Sequence, residues 1–269
     1  MADEGIDESA LPFVAPCRVL RASAPLGWLR LGFADFRRAW PQSLAYGAFM
    51  AVTMALVSGL AWRYGSYWFM LAMVGGFVFI APLTCTGLYV LSAQLDRERR
   101  PSLREALRSG VRLYIGNELV FTLVLLMIFL VWARAGAMLS VFLPARGQPV
   151  LGDMLGYLSI GSVVGAVFAA LTFAVSAFSL PMIVDRRVDA VTAAVTSINA
   201  VLRNKLAMAV WFGLIVVGVV LGFATFFIGL AAVLPVIGHA AWHGYLEAID
   251  ASGFPRHESG VTATPEVRT

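Results

Sequence analysis

The sequence predicts an all-α membrane protein of six transmembrane helices with three interfacial amphipathic helices, arranged as a pseudo-threefold repeat of helix plus transmembrane hairpin. Three observations carry this. First, 59% of the 269 residues are hydrophobic and only 13% are charged, about half the charge of an ordinary soluble domain. Second, the charges fall between long runs that lack Asp, Glu, Lys and Arg, at 39–62, 64–95, 119–133, 154–184 and 206–246. A spanning helix needs about 20 mostly apolar residues. Third, three stretches with a helical step of apolar residues stand before spans, each supplied with arginine.

Residues 1–25 are polar, with Pro12, Pro16 and Pro25, and are expected to be a disordered tail. In the stretch that follows, Leu29, Phe33, Phe36 and Trp40 step along one helical face while Arg30, Arg37 and Arg38 lie off it. That is the pattern of a helix in the membrane interface. Span 1 is expected over 43–61, and Trp62, Tyr64, Tyr67 and Trp68 around Gly65-Ser66 form an aromatic belt. Span 2, about 67–95, is too long for a straight crossing of a roughly 30 Å core. Pro82 is its expected bend, because proline removes a backbone donor.

Ser102 and Glu105 then have capping-box spacing, opening a second amphipathic helix with Leu103, Leu107, Val111 and Tyr114 on its apolar side. Span 3 is expected over 117–133, an outer loop over 134–153, and span 4 over 154–180. Next comes FSLPMIVDRRVDAVTAAVTSINAVLRNKLAM, residues 178–208, where an apolar run closes on Leu180-Pro181 and meets Asp185-Arg186-Arg187. Its amphipathic helix places Val191, Val195, Ile198 and Leu202 on one side and Thr192, Thr196, Asn199 and Arg203 on the other. The 41 uncharged residues of 206–246 are nearly twice a span and are expected to fold as a hairpin, spans 5 and 6, turning near 222–225. The tail 251–269 is expected to be disordered.

With six spans, 17 of the 20 Lys and Arg residues fall on one side and only Arg63, Arg134 and Arg146 on the other. The positive-inside rule therefore puts both termini in the cytoplasm. The net charge of +4 belongs to this topology rather than to nucleic-acid binding. The expected partners are the lipid bilayer, anionic headgroups facing the arginine-rich helices, and a membrane-protein partner or a second copy of the chain. Cys17 and Cys85 match no metal-ligand spacing.

The three units, 26–96, 102–187 and 188–250 within a transmembrane domain of 26–250, place prolines in similar settings: Pro82, Pro181 and Pro235. Repeats of this kind can put a site at the repeat interface. The stretches LPMIVDRRVDAVTAAVTSINAVLRNKLAMAVW, HAAWHGY and APLTCTGLYVLSAQLDRERRPSL resemble a bacterial integral membrane family catalogued as domain of unknown function 2189, over roughly residues 20–250. The resemblance implies a membrane protein with no established activity. Some members carry the label of a cytochrome c oxidase subunit.

His239 and His243, spaced i, i+4, share a helical face and are the residues that would serve a haem or metal. With His239, Trp242, His243 and Tyr245 together, the alternative is a packed or interfacial set with polar tips. A haem–copper centre needs more histidines than the three present. Asp185, Arg186, Arg187 and Asp189 read as an ion-pair cluster or as an ordinary charged stop after span 4. Asn199 and Asn204 either bond between helices or cap and solvate the joint, and Glu118 is a carboxylate at the start of a span, near the cytoplasmic interface. No phosphate loop, nucleophile elbow, HExxH or CxxC is present. The sequence therefore predicts no catalytic residues, no metal and no cofactor. The expected function is non-catalytic, in an accessory, assembly or lipid-interacting role. A small-solute or lipid transporter and a haem- or metal-binding respiratory subunit are the alternatives.

Overall fold

The computed structural model describes residues 12–64, 82–114, 117–139 and 151–256. Among them are ten helices and no strand: α1 (Ala24–Arg38), α2 (Trp40–Tyr64), α3 (Thr86–Asp96), α4 (Leu103–Tyr114), α5 (Asn117–Leu139), α6 (Leu151–Ser176), α7 (Ser179–Asp185), α8 (Ala190–Arg203), α9 (Lys205–Ala224) and α10 (Leu230–Ala248).

Four stretches are long and apolar enough to cross a membrane: Trp40–Leu60, Leu119–Met138, Leu158–Asp185 and Lys205–Ala224. Of the six expected spans, four meet that measure among the described residues, for two reasons. Residues 65–81, the first half of expected span 2 and part of the aromatic belt, lie outside the described residues. The hairpin partner α10 carries Pro235, His239, His243 and Glu247, which dilute its hydropathy. The hairpin itself is present, with α9 ending at Ala224 and α10 beginning at Leu230. Its turn forces Phe226 and Phe227 to φ of 51° and 70°, unusual for residues with a bulky side chain. The Thr225 hydroxyl ties the turn by donating to Gly222 O and accepting from Gly229 N, both at 2.8 Å.

α10 is the centre of the packing. α1 lies along one side of it, and Gly32 permits the approach: a Cβ there would meet Ala240 N at 2.5 Å. α2 crosses it at Gly47, α3 packs through Leu88 against Gly238, and α9 returns beside it. Trp28, Trp211, Trp242, Tyr245, Phe178 and Leu88 fill the core between these helices.

The short helices bury only part of the apolar faces found by periodicity. On α1 the buried residues are Pro25, Trp28, Gly32 and Asp35; Leu29 packs against the core in part, whereas Phe33 is exposed, as is Trp40 at the start of α2. On α8 Thr192, Ala193, Thr196, Ser197 and Ala200 are buried, while Val191 and Leu202 are exposed. Hydrocarbon solvates such a face as well as protein does, so small residues that allow close approach take the helix contacts.

At two of the three prolines that the sequence marks, hydroxyls bond the backbone where the helix breaks. After Pro82 the helix breaks at Cys85, and the Tyr46 hydroxyl donates to the Thr84 carbonyl at 2.7 Å. Before Pro181 the break falls at 177–178 between α6 and α7. There Phe178 N donates to Ser197 Oγ, Ser197 donates to Ala174 O, and the Ser179 hydroxyl donates to Val175 O. Pro235 sits inside α10, where Gly47 meets the Ala231 carbonyl. An unsatisfied carbonyl in hydrocarbon costs several kcal/mol, roughly, which explains why hydroxyls gather at these bends.

The described parts of the two tails are tied down rather than loose. Ala15 N donates to the Thr196 hydroxyl at 3.1 Å, Arg18 N to Ala248 O at 2.8 Å and Asp250 N to Pro16 O at 2.8 Å. Beyond α10, Ala251 and Phe254 are buried. Composition alone misleads here, because a polar, proline-rich segment still folds when another part of the chain offers its backbone partners. Residues 1–11 and 257–269 lie outside the described residues, as does 140–150 of the expected outer loop, which is shortened because α5 runs on through Arg134 to Leu139.

The capping box expected at Ser102 forms by halves. Glu105 N reaches Ser102 Oγ at 3.4 Å, but Ser102 N donates to Gln94 Oε1 at 2.9 Å instead of to Glu105. At α8 the cap is complete, with Asp189 accepting from Val191 N and Thr192 N, both at 2.9 Å. Partial burial pushes the Asp189 carboxyl up, but these bonds and the Thr192 hydroxyl outweigh it and hold the group below the usual carboxylate value. The cap therefore contributes at neutral pH and is lost as pH falls through that lowered value. Asp189→Ala is expected to cost about 1 kcal/mol, read as a lower thermal midpoint in detergent at pH 7 that converges on wild type in acid.

Candidate functional site

Two buried polar clusters flank α10. In the first, His239 is fully buried and both its ring nitrogens are engaged: Nε2 with Ser43 Oγ at 2.8 Å and Nδ1 with Ser92 Oγ at 2.6 Å. Ser92 also donates to Asp35 Oδ2 at 3.2 Å, and the same oxygen lies 2.8 Å from His243 Nε2. A single direction of donation satisfies all of these contacts. His243 and Ser92 donate to the Asp35 carboxylate, His239 Nδ1–H donates to Ser92, and Ser43 donates to His239 Nε2. The chain His243–Asp35–Ser92–His239–Ser43 thus joins α1, α2, α3 and α10.

In the second cluster Asp185, 2% exposed, accepts from Arg186 Nε at 2.8 Å, from the Tyr245 hydroxyl at 3.0 Å and from Arg97 Nη2 at 3.1 Å. Arg256 Nε stands at 4.0 Å. Arg186 donates in addition to the Phe254 carbonyl at 2.8 Å, and Arg187 N to Pro255 O at 2.8 Å. This carboxylate therefore ties the end of α3, the end of α7, α10 and the returning segment 249–256 together.

The sequence candidates divide accordingly. His239 and His243 share a helix face as their spacing requires, but they meet through Asp35 and Ser92, not through a common ligand. Asp185, Arg186 and Tyr245 belong to one cluster, whereas Arg187 contributes its backbone N to Pro255 O and Asp189 caps α8. Trp242 is buried against Tyr245, with ring centroids 5.7 Å apart, and its Nε1 has no acceptor among the described residues. Asn204 joins the helices to the amino-terminal segment, accepting from Leu20 N at 2.8 Å and donating to Arg18 O at 2.9 Å. Asn199 reaches only the Cys17 sulfur, at 3.5 Å. Glu118 lies in the first turn of α5, with its side chain outside the described residues.

Asp35, Ser43, Ser92 and Arg97 were not singled out from sequence. Asp35 carried a signal, as an acidic residue among arginines on an amphipathic helix. The serines carried none, because small polar residues are common in spans.

Cys17 lies buried within the amino-terminal segment, and burial pushes its thiol up from the ordinary value. It offers a probe of that segment. Asn204→Ala removes both of Asn204's bonds to it, so in a Cys85→Ala background maleimide labelling of Cys17 is expected to rise about tenfold or more, with the thermal midpoint lowered modestly.

A third feature is a half-open cavity of ≈ 440 Å³ between α3, α6, α9 and α10. Its lining includes Cys85, Tyr89, Thr172, Trp211 and Phe223 and, among the described residues, no Asp, Glu, Lys, Arg or His. Among the described residues no group of three or more His, Cys, Asp or Glu is placed to hold a metal ion.

An all-helical chain with four membrane-length apolar helices and ion pairs closed inside the bundle is an integral membrane protein. Its residues 69–185 match the family described as "Predicted integral membrane protein (DUF2189)". That is the family resembled in sequence, over a shorter stretch than 20–250. Of the three stretches carrying the resemblance, residues 81–103 fall inside the match, the one beginning at Leu180 enters it only as far as Asp185, and 239–245 lie beyond it. No curated protein and no solved structure matches the chain.

Proposed function

We propose that the chain is a non-catalytic, lipid-interacting protein of the bacterial inner membrane, with six spans, a pseudo-threefold layout and both termini in the cytoplasm. One observation carries the functional part. The buried groups Asp35, Asp185 and His239 and the half-buried His243 are bonded to one another or to hydroxyls and arginines, and none lines the cavity. Catalytic sites place perturbed ionisable groups in a cleft where substrate can reach them. Here the cleft is apolar and the ionisable groups serve as joints.

The layout is supported by three pairs of helices, α1–α2, α4–α5 and α8–α9, each a shorter helix followed within a few residues by a long apolar one. The arginine count supports the topology.

Purification in mild detergent with a native tag, reading absorbance, metal content, lipid and turnover, tests the proposal. A colourless, metal-free protein carrying lipid and turning over no substrate is expected. A Soret band abolished by His239→Ala, or reproducible turnover of any substrate, would overturn it.

A further inference from the structure

We infer that the cavity between α3, α6, α9 and α10 is a binding slot for one acyl chain, whose carbonyl oxygen accepts a hydrogen bond from Thr172. The inference rests on the lipid-interacting reading and names the ligand and its anchor. The slot follows α9 from Trp211 to Phe223, twelve residues or about 18 Å of helix. A volume of ≈ 440 Å³ over that length gives a mean section of about 24 Å², the width of one extended hydrocarbon chain. It also lies within the range of ligand pockets, about 300–1,000 Å³. Water does not fill an apolar slot, for want of polar partners. The rim residues Val216 and Val220 are exposed, so the slot opens sideways to where bilayer chains lie.

Thr172 gives the slot a polar end. It is 2% exposed, and its hydroxyl has no hydrogen-bond partner among the described residues. The neighbouring Ser176 hydroxyl is already committed, donating to Thr172's own carbonyl at 2.7 Å. A hydroxyl left unpaired in an apolar surrounding is unfavourable. The Phe173 and Phe212 rings, 5.2 Å apart, put this part of α6 level with the Trp211 end of α9. A carbonyl at Thr172 would therefore leave its chain to run toward Val220 and Phe223. An ester and a free acid both carry such a carbonyl, so a phospholipid and a fatty acid share the required chemistry.

The test is quenching of Trp211 fluorescence in the delipidated full chain, using 6,7-dibromostearate and, separately, phosphatidylglycerol bearing a 6,7-dibrominated chain, whose bromines lie near the Trp211 end of the slot. Saturable quenching that Trp211→Phe largely removes is expected with at least one probe, and the probe that saturates identifies the source. Ala169→Phe, which fills the slot, is expected to abolish the saturable part, and Val216→Phe serves the same purpose should Ala169→Phe fail to fold. Thr172→Val is expected to weaken dibromostearate binding roughly fivefold while leaving competition by hexadecane unchanged. Quenching that never saturates, or that is equal in wild type and the filled variants, overturns the slot. Equal binding by Thr172→Val overturns the anchor. Neither result touches the non-catalytic reading, which stands or falls on turnover.

Discussion

Asp185→Ala is expected to be the most destabilising single change in the described part of the chain, at about 3–5 kcal/mol. The carboxylate is buried and accepts from Arg97, Arg186 and Tyr245, with Arg256 at longer range. Arg97 and Arg186 have side chains 23% and 13% exposed, so neither regains full hydration once the carboxylate has gone. Removing one partner of a buried set costs more than the set contributes, because the remaining charges stay desolvated. Tyr245 would lose its acceptor in the same step.

Two readouts check this. The thermal midpoint in detergent is expected to fall by ten degrees or more, as an order of magnitude for a loss of this size. Limited proteolysis is expected to cut the segment 249–256, which Arg186 and Arg187 hold through the Phe254 and Pro255 carbonyls. Asp185→Asn keeps an acceptor oxygen and should fall between wild type and alanine. An Asp185→Ala protein as stable as wild type would show that the cluster is a solvated charge group after all.

Gly47→Val is the second. A Cβ at position 47 would stand 2.1 Å from the Ala231 carbonyl oxygen and 2.6 Å from Pro235 Cγ, so α2 and α10 must part. Backbone cannot give way as a flexible side chain does, and the cost is expected at about 3 kcal/mol or more, at or beyond the upper end of ordinary overpacking. The parting would also disturb the histidine cluster, since Ser43 lies one turn before Gly47 and bonds His239. Gly59→Ala on the same helix is the control. No atom lies within 4 Å of its Cβ position, and the change should be neutral or stabilising by up to about 1 kcal/mol. If both substitutions behave alike, close packing at Gly47 is not what joins α2 to α10.

What the sequence determined by itself was the membrane class, the stretches that form long apolar helices, the hairpin in 206–246 and the prolines at which helices break or bend. These follow from length, charge-free runs and missing backbone donors, properties that each segment carries without reference to any other. Asp185 and Arg186 were legible for the same reason as adjacent charges beside a span, but whether they pair or end the span as a solvated stop was not.

The faces and partners were decided only by the tertiary structure. Periodicity located α1 and α8, but in a bilayer an apolar stripe is equally well solvated by lipid, so Gly32 and Thr196 took the buried positions and Phe33 and Leu202 the exposed ones. Asp35 and His243 are 208 residues apart in sequence, and Ser43 and His239 are 196. No local pattern records such a pairing. Thr172 reads as one more hydroxyl in a span until three other helices leave it unpartnered in the wall of an apolar slot. The polar residues of this chain acquire their roles from the close approach of helices, which small residues at distant positions permit.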